Sequence, residues 1–315
     1  MPSSADPLRV VIDETSFDFS GLDENQISLF VSQFNDALSD LRLKGLEAWK
    51  PPLFAYTPCN DEKDLYSYLV EAIDPDVMRR FFGLIDKSPE WDDGYPRCDE
   101  VEINGKARQS AWSVCFAVTA VFSGQSIACL VFPGSGQRGF LAIGSDIGQC
   151  QIFFFVSPDE MLPFWRELYE LENLPEQDFY RFVDRAFPHL IFHPDLSFRR
   201  FEGSYLELRN LIIHHLGALN DHFLDEYRTL SAAGRVGDIE SYFSLRGVGG
   251  VSRESVKTHK NVGAMRLREV EFNGIRVICE WHTKLKPNVD RIHFAFGDEF
   301  GDKILIGIFV DHLPV

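Results

Sequence analysis

From residue 23 to 44 the apolar positions recur every three or four residues. Ile27, Phe30, Val31, Phe34, Leu38 and Leu41 fall on one face of a helix. Asp23 stands where an N-cap belongs, and Gly45 where such a helix stops. The same spacing predicts helices over 61–73, 76–85, 161–171 and 176–187, and a long one from Tyr205 to Leu230. In that last helix Leu208, Leu211, Ile212, Leu216, Leu219 and Phe223 share a side. Residues 111–122 are apolar almost throughout, and their length favours a buried helix over a strand. Short apolar or alternating runs predict strands at 8–12, 46–56, 126–132, 139–143, 151–156, 268–272, 275–282, 291–296 and 303–310. Asn273-Gly274, set between two of these runs, is the strongest hairpin signal in the chain.

Strands alternating with helices predict an α/β protein. The expected organisation is a mixed-sheet α/β domain over 1–175, a helical connecting region over 176–240, and an α+β C-terminal part with an antiparallel sheet over 241–315. Residues 231–263 are rich in Gly and Ser and read as a linker or mobile loop that proteases would reach.

The chain has 315 residues, which is more than one core usually holds, so two parts are expected. With 45% hydrophobic and 25% charged residues, composition excludes collagen, coiled coil and bulk disorder. No basic start leads into an apolar run, and no apolar stretch reaches 18 residues. A cytoplasmic protein without membrane contact is therefore expected. The six cysteines form no CxxC pair and read as buried free thiols.

Net charge is −17, unevenly spread. Residues 241–315 hold 11 basic and 9 acidic side chains, leaving 20 basic and 39 acidic in 1–240. An acidic body repels phosphate backbones. Nucleic acid, if handled at all, belongs to the C-terminal part, and the acidic N-terminal part is expected to dock a protein partner.

Several motifs invite a chemical reading. Gly134-Ser-Gly-Gln-Arg-Gly139 spells GxGxxG, but a strand follows it where a dinucleotide site needs a helix. It reads as a hairpin turn, and no cofactor is expected. Asp13 and Glu14 end the first strand as in PIN-like Mg²⁺ nucleases, with Asp61, Asp64 and Glu71 as possible partners. His215 and His222 lie about 10 Å apart along one helix, too far to share an ion. His189 and His193 are excluded likewise by their spacing along an extended stretch.

The C-terminal constellation carries the most chemistry. Alternation puts Glu280, His282 and Lys284 on one face of a strand, and Arg291 and His293 on one face of another. Ile292, Phe294, Ile304, Ile306 and Ile308 would supply the opposite face, against a helix. Cleaving a phosphodiester through its 2′-hydroxyl needs a base, an acid and positive charge on the phosphorane. His282, Lys284, Arg291 and His293 can supply these without a metal. Ordinary charge pairs on a solvated face, such as Glu280 with Lys284, are the plainer alternative.

The segment RIHFAFGDEFGDKILIGIFVDHLP (291–314) resembles the hairpin of RelE/HigB-like toxins, in which an Arg-bearing strand is followed by a turn and an apolar strand. The resemblance covers about 50 residues. It implies an RNA endonuclease with Lys284, Arg291 and His293 facing phosphate. The chain departs from it in length, in acidity and in lacking the helix pair before the sheet. The two-part chain with its EWHxK…RIHF ending also resembles bacterial defence-type proteins. The leading expectation is a C-terminal module that binds nucleic acid, RNA in preference, with metal-free cleavage as a further step open to it. A non-catalytic subunit or sensor of an anti-phage complex is the alternative, and a PIN-like nuclease the third reading.

Overall fold

In the computed structural model, residues 8–60, 63–91, 98 and 100–314 are described. The chain divides into two compact units, Met1–Phe164 and Trp165–Val315.

The first unit contains β1 (Val10–Ile12), α1 (Glu24–Leu43), β2 (Ala48–Trp49), α2 (Leu65–Ala72), α3 (Pro75–Ile85), β3 (Val101–Ile103), β4 (Lys106–Arg108), α4 (Trp112–Phe122), β5 (Ala128–Leu130), β6 (Gly139–Ser145) and β7 (Gly148–Phe155). Helix α5 (Leu162–Leu171) leads into the second unit. The strand order is β2-β1-β5-β7-β6-β3-β4. Strands β2, β1, β5 and β7 run parallel, and β6, β3 and β4 continue the sheet antiparallel. The sheet is mixed, as the short glycine turns between the strands near 130–156 predict. Asp23 caps α1 through a reciprocal capping box with Gln26. Phenylalanine fills one side of the sheet, where Phe17 lies against Phe34, Phe54, Phe81 and Phe132. Val114, Cys115, Ala117 and Val118 of α4 fill the other with Val11, Cys129 and Phe154. The GxGxxG stretch is a 3₁₀ turn followed by β6, but it is not a hairpin: β7 lies between β5 and β6.

The second unit contains α6 (Val183–Ala186), β8 (Leu190–Phe192), α7 (Tyr205–Ala232), α8 (Ile239–Ser244), β9 (Ser252–Arg253), α9 (Val256–Lys260), α10 (Val262–Arg266), β10 (Glu269–Phe272), β11 (Ile275–Ile278), β12 (Trp281–Lys286), β13 (Val289–Ala295) and β14 (Ile304–Val310). Its main sheet has the order β8-β14-β13-β12-β9 and is antiparallel except for β8 on β14. Strands β10 and β11 form a separate hairpin, with Asn273 and Gly274 both at positive φ as its turn requires.

Two expectations about organisation are corrected here. Residues 176–240 are part of the second unit, because β8 pairs with β14 and α7 packs on β12. Residues 231–263 are not a linker. They form α8, β9 and α9, and bury Phe243, Val248, Val251 and Thr258.

Alternation sorts the sheet's two faces. Trp281 and Phe294 meet Phe223 of α7 at ring separations of 5.3 and 4.8 Å. Thr283 shares a 2.6 Å hydrogen bond with His215 of α7. Ile308 does not join this face. Between β13 and β14 the register slips at His293/Phe294, leaving Gly307 as an extra residue. Ile308 is thereby turned to the other face, with Cys279, Leu305 and Val310. A Cβ on Gly307 would stand 2.2 Å from Cys279 Sγ, so only glycine fits the bulge.

Candidate functional site

Strands β12 and β13 bring the four expected residues together. His282 pairs with His293 and Lys284 with Arg291 across the ladder, all on the face away from α7. That face is not solvated, contrary to expectation. His282 is 6% exposed, Arg291 8% and His293 0%, and only Lys284 is half-buried. Lys284 lies with its stem over Gly250, whose φ of +65° no larger residue would adopt without strain.

Two residues that no local pattern indicates complete the cluster. Glu254 follows β9, and its N–H donates to the Glu280 carbonyl at 2.8 Å, which fixes it beside the histidines. Arg268 follows α10, is fully buried, and donates through Nη1 to the carbonyls of Ala264 (2.7 Å) and Pro314 (3.1 Å). Its Nε stands 2.8 Å from Glu254 Oε1. The same oxygen is 3.4 Å from His282 Nδ1 and 3.7 Å from His293 Nδ1. Neither imidazole contact has hydrogen-bond geometry, so both Nδ1 atoms lack a hydrogen-bond partner among the described residues, and Oε1 meets Arg268 as an ion pair. The two rings are 5.3 Å apart.

The electrostatics follow from burial and the arginines. Burial would raise the Glu254 carboxyl, but His282 and Arg268 outweigh it and hold the group well below the usual carboxylate range. Burial lowers His293 to about 3, with His282 adding to the fall. His293 is therefore neutral at physiological pH and poorly suited to act as the acid of the set. Among the described residues Glu254, His282 and His293 form a group able to hold a metal ion, with ligand atoms within 4.8 Å of one another.

The carboxylates at the end of β1 do not form a comparable cluster. Asp13 is buried and accepts from the N–H and hydroxyl of Thr15, capping a short 3₁₀ turn. Glu14 accepts from the Ser113 N–H in the first turn of α4, at 3.1 and 3.3 Å to its two oxygens. Asp64 caps α2, and Glu71 pairs with Lys63. Asp61 lies outside the described residues. Each described member of the expected PIN-like set thus has a local structural task.

Two further buried histidines have structural partners. His193 accepts from the Asp195 N–H through Nδ1 and so donates from Nε2 to the Glu271 carbonyl at 2.9 Å. His215 is lowered to about 4 by burial and serves the α7–β12 packing. All six cysteines are free thiols. No helix among the described residues is long and apolar enough to cross a membrane.

Glu254 and Arg268 were missed because they sit in or next to the glycine-rich stretch. The only sequence signal they carry is charge, beside short apolar runs in the part of the chain that is not acidic. No family model, no curated protein and no solved structure matches this chain.

Proposed function

We propose that the second unit acts on the phosphodiester backbone of nucleic acid, RNA in preference, at the cluster of Glu254, His282, His293, Arg268 and Arg291. One observation carries this reading. Two imidazoles, a carboxylate held ionised and the Arg268 guanidinium meet in one network, with Arg291 close enough to feel the charges of Glu254 and Arg268, in a C-terminal part with a slight basic balance. Arg291 and Lys284 supply positive charge for a phosphate and for its transition state. Two routes to activating the nucleophile are open to such a cluster. In one, His282 takes the proton while Glu254 holds its ring. In the other, a cation on the histidines and Glu254 does so. Loss of activity in EDTA separates them. The resemblance of 291–314 to RelE/HigB-like toxins supports RNA and fits a bacterial toxin or defence setting. Six thiols with no disulfide fit the cytoplasm.

The test is RNA binding by fluorescence anisotropy over a range of salt. Wild type should bind more weakly as salt rises, through release of counterions. Arg291→Ala and Lys284→Ala should each weaken binding and flatten the log–log salt slope by about one unit. Binding that ignores salt, or that both variants leave unchanged, removes phosphate from the site.

The full burial of His293 favours a second reading. In it the cluster only braces the fold, and the protein is a non-catalytic subunit of a defence complex whose acidic first unit docks a basic partner. Wild type would then neither bind nor cut RNA.

A further inference from the structure

Three donor atoms converge on one point in the second unit. His282, His293 and Glu254 each offer a ligand atom, all within 4.8 Å of one another, and Nδ1 of each imidazole lies 3.4 and 3.7 Å from Glu254 Oε1. We infer that these three side chains form a binding site for one four-coordinate divalent transition-metal ion of the Zn²⁺ class.

The spacing carries the argument. Around a tetrahedral ion with bonds of about 2.0–2.1 Å, neighbouring ligand atoms stand about 3.4 Å apart. The two Nδ1···Oε1 separations are 3.4 and 3.7 Å. Hydrogen bonding does not account for them, because neither pair has hydrogen-bond geometry. A buried polar atom ordinarily has a partner, and leaving it without one is costly. Here His293 is 0% exposed, yet neither of its ring nitrogens has a hydrogen-bond partner among the described residues. Nδ1 of His293 and Nδ1 of His282 both face the same carboxylate oxygen.

The scaffold is suited to holding such a geometry. His282 and His293 are direct neighbours across a ladder whose other face is closed by Trp281, Phe294 and α7. Glu254 is pinned by its backbone bond to Glu280. Two imidazoles and one carboxylate are donors that suit Zn²⁺ and its neighbours, and are too nitrogen-rich for Mg²⁺ or Ca²⁺. Glu254 and His282 keep 8% and 6% exposure, which gives an ion and a fourth ligand a way in.

Arg268 limits the affinity and sets the fourth ligand. Its guanidinium competes for Oε1, but two backbone carbonyls hold it through Nη1 whether or not an ion is present. With Arg268 and Arg291 beside it, a divalent ion leaves the site with excess positive charge. The fourth position therefore selects an anion, hydroxide or a phosphate oxygen, over neutral water. The cation would then be the group that activates the nucleophile in the proposed phosphodiester chemistry.

The test is titration of tag-free, EDTA-treated, dialysed full-length protein with Co²⁺, followed by visible absorption. The expected result is one equivalent giving the intense bands of four-coordinate Co²⁺, displaced by Zn²⁺. His293→Ala and His282→Gln, shown by circular dichroism to be folded, should lack the bands. If one of them does not fold, the other serves. Absence of the bands from folded wild type overturns the inference, and so does their full retention in a folded variant. The readout is coordination and not activity. A protein that binds Co²⁺ here and leaves RNA untouched refutes the phosphodiester reading alone.

Discussion

Arg268→Met should lower the free energy of unfolding by about 3–5 kcal/mol, the usual cost of removing one partner from a buried ion pair. Arg268 is fully buried, and the Glu254 side chain beside it is 4% exposed. Methionine roughly keeps the volume but strands an ionised carboxylate in the interior. It also takes the donor from the Ala264 and Pro314 carbonyls. Adding Glu254→Gln should recover part of the loss, because the stranded charge is then gone. Urea unfolding of the single and double variants measures both effects. A loss below about 1 kcal/mol would mean that the pair is hydrated or readily rearranged.

Stability of the first unit should fall as pH rises from about 4.5 to 8, and Glu14→Gln should remove most of that fall. Burial raises the Glu14 carboxyl to about 8, with Asp13 adding to the rise, and burial raises Asp13 as well. A carboxyl whose pKa is higher folded than unfolded holds its proton in the native state across that window. The unfolded state has already released it, so each step up in pH favours unfolding. Above about pH 8 both states are ionised and the effect levels off. At about 1.4 kcal/mol per pH unit the loss reaches at most about 5 kcal/mol. Glutamine keeps an oxygen for the Ser113 N–H and carries no charge. Asp13 leaves a residual slope. Urea midpoints at pH 5 and 8 decide the matter. Equal pH dependence in wild type and variant would show that Glu14 is ionised throughout.

Much of the fold was legible locally because its signals are local. The face of α1, its Asp23 cap, the Asn273-Gly274 turn and the pairing face of His282 with Lys284 follow from period and turn chemistry. What stayed hidden depends on distant partners. Nothing near β8 shows that it will pair with β14, more than a hundred residues on. The Gly307 bulge turns Ile308 over, and strict alternation cannot foresee an inserted residue. The burial of His282 and His293 is hidden for a similar reason. Alternating polar residues on a strand ordinarily face water, but here Glu254, from a stretch that reads as a linker, and Arg268, from the edge of a run that reads as a strand, come to lie against them. A polar face can be interior when its charges are paired, and the pairing residues lie elsewhere in the chain.

Cleavage of end-labelled single-stranded RNA, followed under single-turnover conditions, tests the central claim most directly. Wild type should cut, and His282→Ala should cut roughly 10²–10⁴ times more slowly while binding RNA almost as well. Wild type that leaves the RNA intact, or folded His282→Ala that cuts at the wild-type rate, would contradict the account.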